Sequence, residues 1–353
     1  MNCFNPKLSE LSPYDVPQYS NYIKLNQNES PYDIPDHLKD SIATAIHEAK
    51  WNRYPDGISG RLSQMLASKA GAKPENIICG NGSNELIQML LMALPRNQKE
   101  LIVPSPTFSL YQRLALLLNR PIQWVPLLDD FSFDIERIIE SSRKGALLIL
   151  TSPNNPTGTS IDYNRLIKIL EKTSIPVLLD EAYHEFNPVD TVKLITEFPK
   201  LLLLRTFSKA LSAAGLRLGY LIGSSPVIRE LRKVKLPFSV GIFQQVAGIK
   251  LLEQQQIFIE YAKKIVTERD AMYQIMNQIN GIKVIRSEGN FLLFRCLSRK
   301  ASDLYRNMMD RGILLRQFEH PALVDWIRVS VGTAHENQIF MNHLEQIVNG
   351  AGK

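Results

Sequence analysis

The sequence has few cysteines, no long apolar run and no concentrated block of charge. Its three cysteines, Cys3, Cys79 and Cys296, are far apart and follow no CxxC or metal-ligand spacing, which favours reduced thiols and argues against a cysteine metal site. No apolar stretch approaches the roughly 18 residues of a membrane helix. The start, MNCFNPKLSE, has no hydrophobic signal core. We therefore expect a cytoplasmic protein with no membrane partner and no bound metal.

The positive charge of the chain is weak and evenly distributed. Lysine and arginine number 41 against 35 acidic residues, a formal net charge of +6 at pH 7. A nucleic-acid-binding protein usually concentrates its basic residues in a run or stripe, whereas here they are mixed with acids. The pattern argues against a nucleic-acid partner and is compatible with a small anionic substrate.

Short apolar runs alternate with helical patterns from about residue 36 onwards. Continuous apolar strands separated by helices predict the α/β class, with a mainly parallel sheet between two layers of helices. The runs that predict about seven strands are Ile77–Cys79, Leu101–Val103, Ile122–Val125, Leu147–Leu150, Val177–Leu179, Leu201–Leu204 and Gly219–Ile222.

After Pro237 the pattern changes, which predicts a second and smaller α+β domain. A helical stretch over 241–279 is followed by a helix over 302–311, and the two strand candidates are Phe291–Phe294 and Trp326–Val331. The start of the chain is polar and rich in Pro, Tyr and Asn. We expect an N-terminal arm over 1–35 that joins the small domain, a large domain over 36–245 and the small domain over 246–353.

Five candidate segments follow the ends of apolar runs, where ligands bind in a parallel sheet. They are GNGSNELI (80–87), PSPTFSLYQ (104–112), TSPNNPTG (151–158), DEAYHEF (180–186) and RTFSK (205–209). The first suits a phosphate at a helix N-terminus. Asp180 requires a positive partner if it is buried. Lys209 has hydroxyl neighbours and Arg217, a forked cation for a phosphate, eight residues further on.

Each of these signals has an ordinary structural alternative when it is taken alone. GNGSNE suits a plain helix cap, since Glu85 stands where a dinucleotide motif has its third glycine. Phe108 suits a core contact, and Lys209 suits a surface lysine. Together at one sheet edge, a phosphate cradle, an aromatic ring, an Asn, an Asp and a lysine are the parts that hold pyridoxal phosphate.

SPNNPTG, DEAY, and SK followed by GLRLGY resemble the hallmarks of the fold-type I pyridoxal-phosphate aminotransferases of the aspartate aminotransferase superfamily. Further segments resemble the histidinol-phosphate aminotransferase branch, and the resemblance covers nearly the whole chain. These segments are LSPY (11–14), LNQNES (25–30), NRYP (52–55), RTFSKALSAAGLRLGY (205–220), GILLRQ (312–317) and IRVSVGT (327–333). The resemblance implies transfer of the amino group of L-histidinol phosphate to 2-oxoglutarate, which yields imidazole acetol phosphate and L-glutamate in histidine biosynthesis, with ping-pong kinetics.

The resemblance also implies a role for each matching residue. Lys209 bonds to the cofactor aldehyde and moves the substrate proton, while Asp180 pairs with the ring nitrogen. Asn155 and Tyr183 hydrogen-bond the phenolic oxygen, and Phe108 stacks on the ring where many relatives carry Tyr. The residues implied to hold the cofactor phosphate are Ser83, Asn84, Thr206, Ser208 and Arg217, together with Tyr54 from the other subunit of a homodimer. The implied substrate-binding residues are Tyr14, Asn155, Arg316 and Arg328.

At this point the sequence leaves alternatives open for the substrate and for the reaction class. Arg316 and Arg328 flank QFEHPALVD (317–325) and, with Tyr14, suit a phosphate monoester or equally a dicarboxylate. An aromatic amino-acid aminotransferase and a threonine-phosphate decarboxylase use the same scaffold. A nicotinamide-dependent dehydrogenase would leave SPNNPTG, DEAY and SK unexplained. A non-enzymatic ligand sensor predicts the loss of Lys209 or Asp180, and both residues are present.

Overall fold

The computed structural model describes residues 6–13, 19, 21–95 and 99–350. Its α-helices are α1 (Asp36–Glu48), α2 (Gly60–Ala70), α3 (Gly82–Ala93), α4 (Leu110–Leu117), α5 (Ile135–Ser142), α6 (Tyr163–Lys172), α7 (Leu194–Glu197), α8 (Ser225–Arg232), α9 (Ile242–Glu253), α10 (Gln255–Gln278), α11 (Ala301–Met309) and α12 (Ala334–Asn349). Its strands are β1 (Ile23–Lys24), β2 (Ile77–Gly80), β3 (Leu101–Ser105), β4 (Ile122–Pro126), β5 (Leu147–Thr151), β6 (Val177–Asp180), β7 (Leu201–Thr206), β8 (Gly219–Gly223), β9 (Ile282–Ile285), β10 (Phe291–Cys296), β11 (Ile313–Leu314), β12 (Arg316–Gln317) and β13 (Ile327–Ser330).

Seven strands form one large sheet in the order β2-β8-β7-β6-β5-β3-β4. Strand β8 runs antiparallel to both of its neighbours, and the other strands pair in parallel. The central strands β5, β6 and β7 are buried along their whole length, as expected of continuous apolar runs covered by helices on both faces. The predicted α/β class with a mainly parallel seven-stranded sheet is confirmed.

Each predicted strand of this sheet extends one or two residues beyond its apolar run. The added residues include Thr151, Asp180 and Thr206, which are the last residues of β5, β6 and β7. Because these three strands are parallel, their polar last residues meet at one edge of the sheet.

A second sheet of four antiparallel strands, in the order β12-β13-β10-β9, packs on the helices α10, α11 and α12. Its core contains Phe291, Phe294, Met308 and Phe340. The two strands predicted here are present as β10 and β13. The sequence analysis missed β9 and β12 of this sheet and also β1 and β11, because runs of two to four residues carry little periodicity.

The predicted helical stretch 241–279 is divided into α9 and α10 at Gln254, and the predicted helix 302–311 is α11. Near the N-terminus, β1 pairs in parallel with β11, with Ile23 opposite Ile313. The domain limits at 35 and 245 stay predictions, and the second of them falls within α9.

The described residues lack two kinds of feature. No helix among them combines the length and the apolar character that a membrane span requires. Within the same ranges, no group of three or more His, Cys, Asp and Glu side chains lies together in a way that could hold a metal ion.

Candidate active site

Lys209 follows the end of β7 and projects into the space beyond the sheet edge. Its Nζ donates a hydrogen bond to the main-chain oxygen of Gln27 at 3.0 Å and lies 5.9 Å from the centre of the Tyr183 ring. Burial, and then the positive charge of Arg328, lower the pKa of Lys209 to about 7. A substantial fraction of this amine is therefore neutral near pH 7, as a nucleophile and proton acceptor requires.

Asp180 ends β6 and is almost fully buried. Its Oδ2 accepts a hydrogen bond from the Tyr111 hydroxyl at 2.6 Å, and its Oδ1 accepts one from the Ala182 amide at 3.1 Å. Burial raises the pKa of Asp180 to about 6, while these two hydrogen bonds act in the opposite direction. The carboxyl group is therefore mostly ionised at neutral pH and able to pair with a cation.

Arg205, in the neighbouring strand β7, pairs with Glu181, the residue that follows Asp180. Arg205 Nε lies 2.8 Å from Glu181 Oε2, and both side chains are buried. Thr191 donates a second hydrogen bond to Glu181. The charge of Arg205 is therefore matched by Glu181, and Asp180 is held by the two dipolar donors described above, an arrangement that suits a cationic ligand group.

Tyr111 is a site residue that the sequence analysis missed. It lies in α4 and is fully buried, with its hydroxyl 2.9 Å from Thr151 Oγ1 as well as bonded to Asp180. Burial, and then the charge of Asp180, raise the pKa of Tyr111 well above its ordinary value, so the hydroxyl keeps its proton. A signal for it existed, because a buried tyrosine normally needs a hydrogen-bond partner and this one closely follows the end of β3.

Hydroxyl groups and a guanidinium lie together beyond β7. The hydroxyl of Thr206 is 3.0 Å from that of Ser208, and Arg217 Nη1 donates to Ser208 Oγ at 3.2 Å. Arg217 has a left-handed backbone, with φ of 51°. These groups form the kind of donor set that binds a phosphate.

The start of α3 lies against this donor set, and two glycines allow the approach. A Cβ on Gly82 would lie 2.6 Å from Arg217 Nη2, and a Cβ on Gly219 would lie 2.6 Å from the Ser83 nitrogen. A helix N-terminus offers main-chain N–H groups without partners in the helix, so α3 adds donors for an anion. Ser83 is half-buried and Asn84 is exposed in this first turn.

Arg328 joins the small sheet to the large one. This buried residue of β13 donates from Nη1 to Asn155 Oδ1 at 2.5 Å and from Nη2 to the Asn26 main-chain oxygen at 2.6 Å. Arg316 of β12 stands directly opposite Arg328 in the antiparallel register. Directly opposed residues project from the same face of a sheet, so two arginines stand on one face beside Asn155.

The remaining predicted residues fall into two groups. Tyr183 is buried and its hydroxyl accepts a hydrogen bond from Asn28 Nδ2 at 3.0 Å, and Phe108 packs edge-on against Tyr111 at 5.8 Å. Tyr54 lies instead on the surface, where it is 82% exposed and stacks on Phe238. Tyr14 lies outside the described residues.

The chemistry of this donor set fits pyridoxal 5′-phosphate. A lysine with a lowered pKa suits an aldehyde, and a buried carboxylate held by Tyr111 and the Ala182 amide suits a protonated ring nitrogen. Arg217, the hydroxyl groups and the start of α3 suit the phosphate. All of these groups lie at or near the carboxyl edge of the large sheet.

Comparison with known proteins agrees with this chemistry. The profile of the family described as aminotransferase class I and II matches residues 20–344. The chain belongs to this aminotransferase family. The fold-type I aminotransferase that the sequence predicts is thereby confirmed, and the enzyme is a transferase.

Individual relatives of this aminotransferase carry a more specific name. This chain is 37% identical in sequence to the histidinol-phosphate aminotransferase of Chlorobium chlorochromatii, over 95% of this chain and 93% of the relative. It is also 37% identical to the enzyme of that name from Chlorobium phaeovibrioides, over 99% and 98% of the two chains. A crystal structure of histidinol-phosphate aminotransferase from Sinorhizobium meliloti in complex with pyridoxal-5′-phosphate has the same fold, with a TM-score of 0.89, 23% identity, and 99% and 98% of the chains covered.

Proposed function

We propose that this aminotransferase transfers the amino group of L-histidinol phosphate to 2-oxoglutarate, with pyridoxal 5′-phosphate as its cofactor and with ping-pong kinetics. The observation that carries the proposal is the register that sets Arg316 opposite Arg328 beside Asn155, next to the edge of the sheet where Lys209 lies. The names of the relatives at 37% identity support the same substrate.

The chain's own residues divide the work at the cofactor. When bound, pyridoxal 5′-phosphate supplies an aldehyde that captures amines and a protonated ring that accepts electrons from a carbon losing its proton. Lys209 would hold the aldehyde carbon and, once released from it as a neutral amine, would accept and return the substrate proton. Asp180 would keep the ring nitrogen protonated, and Tyr111 fixes the orientation of its carboxylate.

Other groups orient the cofactor and hold its phosphate. Tyr183 and Asn155 would bind the phenolic oxygen, and Phe108 would cover a face of the ring. Arg217 would hold the phosphate together with the groups around it, namely Ser83, Asn84, Thr206 and Ser208.

Arg316 and Arg328 bind the anionic end of the substrate. Two guanidinium groups on one face match the oxygens of a phosphate monoester and, in the second half-reaction, a carboxylate of 2-oxoglutarate. Tyr14 belongs to the same proposed set. Arg328 also contacts Asn155, so substrate binding and cofactor orientation share a hydrogen bond.

A single-turnover absorbance experiment tests the substrate. The cofactor-loaded enzyme is mixed separately with L-histidinol phosphate, L-phenylalanine and L-threonine phosphate. We expect histidinol phosphate to remove the visible cofactor band fastest, and 2-oxoglutarate to restore it. A faster reaction with phenylalanine would contradict the substrate but not the reaction. Carbon dioxide release from threonine phosphate would contradict transamination itself.

We also propose that the enzyme is a homodimer in which Tyr54 completes the phosphate site of the other subunit. Tyr54 stacks on Phe238, and nearby in sequence Trp51 packs against Phe243. Both segments carry exposed apolar side chains, namely Trp51, Tyr54 and Ile58 in the first and Leu236, Phe238 and Phe243 in the second. Exposed apolar side chains that pack together are typical of a contact surface.

Mixed dimers test whether Tyr54 of one subunit reaches the phosphate site of the other. Tyr54→Phe should weaken cofactor binding, because the phosphate loses one donor. Lys209→Ala should be inactive. A dimer with one chain of each variant should contain one wild-type-like site and one doubly altered site, so it should regain about half of the wild-type sites. Mixtures that regain none after subunit exchange would contradict the crossing.

A further inference from the structure

Asn28 lies in a buried polar cluster that joins segments far apart in the sequence. Four residues form it, and each is at most 3% exposed: Asn28, Tyr183, Asn290 and Ser330. They come from four separate segments, namely the stretch after β1, the turn after β6, the residue before β10 and the end of β13. Hydrogen bonds connect these segments through the side chain and main chain of Asn28.

The hydrogen bonds around Asn28 form a directed chain. The Asn28 main-chain N–H donates to Ser330 Oγ at 2.8 Å, and the Ser330 hydroxyl donates in turn to Asn28 Oδ1 at 3.0 Å. The Asn28 carbonyl accepts from Asn290 Nδ2 at 3.1 Å. With Oδ1 engaged by Ser330, the amide nitrogen of Asn28 faces Tyr183 and donates to its hydroxyl oxygen at 3.0 Å.

The backbone of Asn28 is adapted to this position. Its φ is 52°, in the left-handed region that asparagine tolerates better than other residues with a Cβ. A conformation of this kind persists only where the surroundings hold it. Here the two main-chain hydrogen bonds to Ser330 and Asn290 hold it.

The direction of the chain restricts the proton of Tyr183. A phenolic hydroxyl has one proton and accepts through its lone pairs. Because the Asn28 amide donates to the oxygen, the hydroxyl proton is left for a different acceptor. We propose that Asn28 is a positioning residue that directs the Tyr183 proton into the active site, towards the phenolic oxygen of the cofactor. This inference rests on the role proposed above for Tyr183.

A spectroscopic titration tests the inference without measuring activity. A hydrogen bond donated to the phenolic oxygen stabilises its anionic form, so removing the donor raises the pH midpoint of the visible cofactor band. Tyr183→Phe should therefore raise this midpoint by about one pH unit or more. Asn28→Asp should produce most of the same shift, because a carboxylate accepts the Tyr183 proton and turns it away from the cofactor.

Asn28→Gly is the second variant, in case the buried acid prevents folding. Glycine keeps the positive φ and removes the amide, so the midpoint should rise by less than in Asn28→Asp. In the Tyr183→Phe background, neither change at residue 28 should shift the midpoint of the cofactor band further, because the hydroxyl proton that Asn28 directs is no longer present. Asn337→Asp is the matched control, since this buried amide of α12 bonds Glu268 and its change should lower the melting temperature without moving the midpoint.

The outcomes separate the inference from the proposed function. A shift in Tyr183→Phe with none in either variant of Asn28 would overturn the inference and leave the role of Tyr183 intact. A shift from Asn28→Asp that persists in full without the Tyr183 hydroxyl would also overturn it, since the new charge alone would be responsible. An unchanged midpoint in Tyr183→Phe would overturn both.

Discussion

The two sides of the candidate active site are assembled differently. On the side of the large sheet, the contacts among the groups that fit a phosphate are close in sequence, as between Thr206 and Ser208 or between Arg217 and Ser208. On the side of the small sheet, Arg328 bonds Asn155 and Asn26, which are 173 and 302 positions away. The groups that fit the cofactor are thus built into strand ends, whereas those proposed for the substrate depend on distant segments coming together.

This difference predicts that substitutions on the two sides have different effects. A change on the large-sheet side should remove the chemistry, because the groups proposed to hold the cofactor lie there. A change at Arg316 should weaken substrate binding and leave the cofactor in place, because the hydrogen bond to Asn155 comes from Arg328. The predictions below test this separation, from the largest effect to the smallest.

Lys209→Ala should remove the visible cofactor band and lower turnover by roughly 10⁴-fold, since covalent attachment and proton transfer both depend on this amine. Absorbance spectra and steady-state rates measure the two effects. Lys200→Ala is the control, because this exposed lysine bonds only a neighbouring loop, at the Ser174 carbonyl, and its loss should leave band and rate unchanged. A visible band that survives in Lys209→Ala would contradict the assignment.

Arg316→Gln should raise the KM for histidinol phosphate by about 10- to 100-fold, the factor that corresponds to the loss of one hydrogen bond to a charged group. The visible band and the cofactor affinity should stay unchanged. Arg311→Gln serves as the control. Arg311 is an exposed arginine just before β11, and its guanidinium donates a hydrogen bond to the Asn307 carbonyl. A loss of cofactor affinity in Arg316→Gln would show that the two sides are not separable.

The smallest expected effect is on the stability of the cofactor-free protein. The pKa of Lys209 is lowered from 10.5 to about 7 in the folded chain, so the unfolded chain binds more protons between these values. Stability should therefore rise with pH in this window, with a contribution from Lys209 of up to about 1.4 kcal/mol per pH unit. Denaturant unfolding of the wild type and of Lys209→Met at pH 7, 8 and 9 measures it. Parallel curves for the two proteins would mean that the pKa of Lys209 is not lowered.

The sequence was sufficient to predict the large sheet and the residues at its edge. Each strand was a continuous apolar run, and the polar residue that followed it marked the end where ligands bind. Asp180 and Lys209 were recognisable because the strand and the turn are local patterns. Tyr111 was accessible to the same reasoning, because it lies six residues beyond the end of β3.

The other side could not be predicted from local patterns. The pairing of Arg316 with Arg328 depends on the register of β12, a strand of two residues without detectable periodicity. The contact of Asn28 with Tyr183 depends on a positive φ and on the meeting of four segments. Such features follow from tertiary packing between distant segments, which cannot be predicted from short stretches of sequence. Tyr54 stays a prediction for the same reason, since its proposed partner is another chain.

The pairing of β1 with β11 has a consequence for synthesis on the ribosome. Residues 23–28 are made long before their partners, because Ile23 and Lys24 pair with residues 313 and 314 and the Leu25 carbonyl accepts from the Ser330 amide. A nascent chain that already contains the whole seven-stranded sheet therefore lacks the anchor for Asn26, Gln27 and Asn28. It also lacks both arginines of the pair. Completion of the candidate active site thus waits for translation of β13, and a product that ends before β13 would carry Lys209 without the segment that this lysine bonds in its final position.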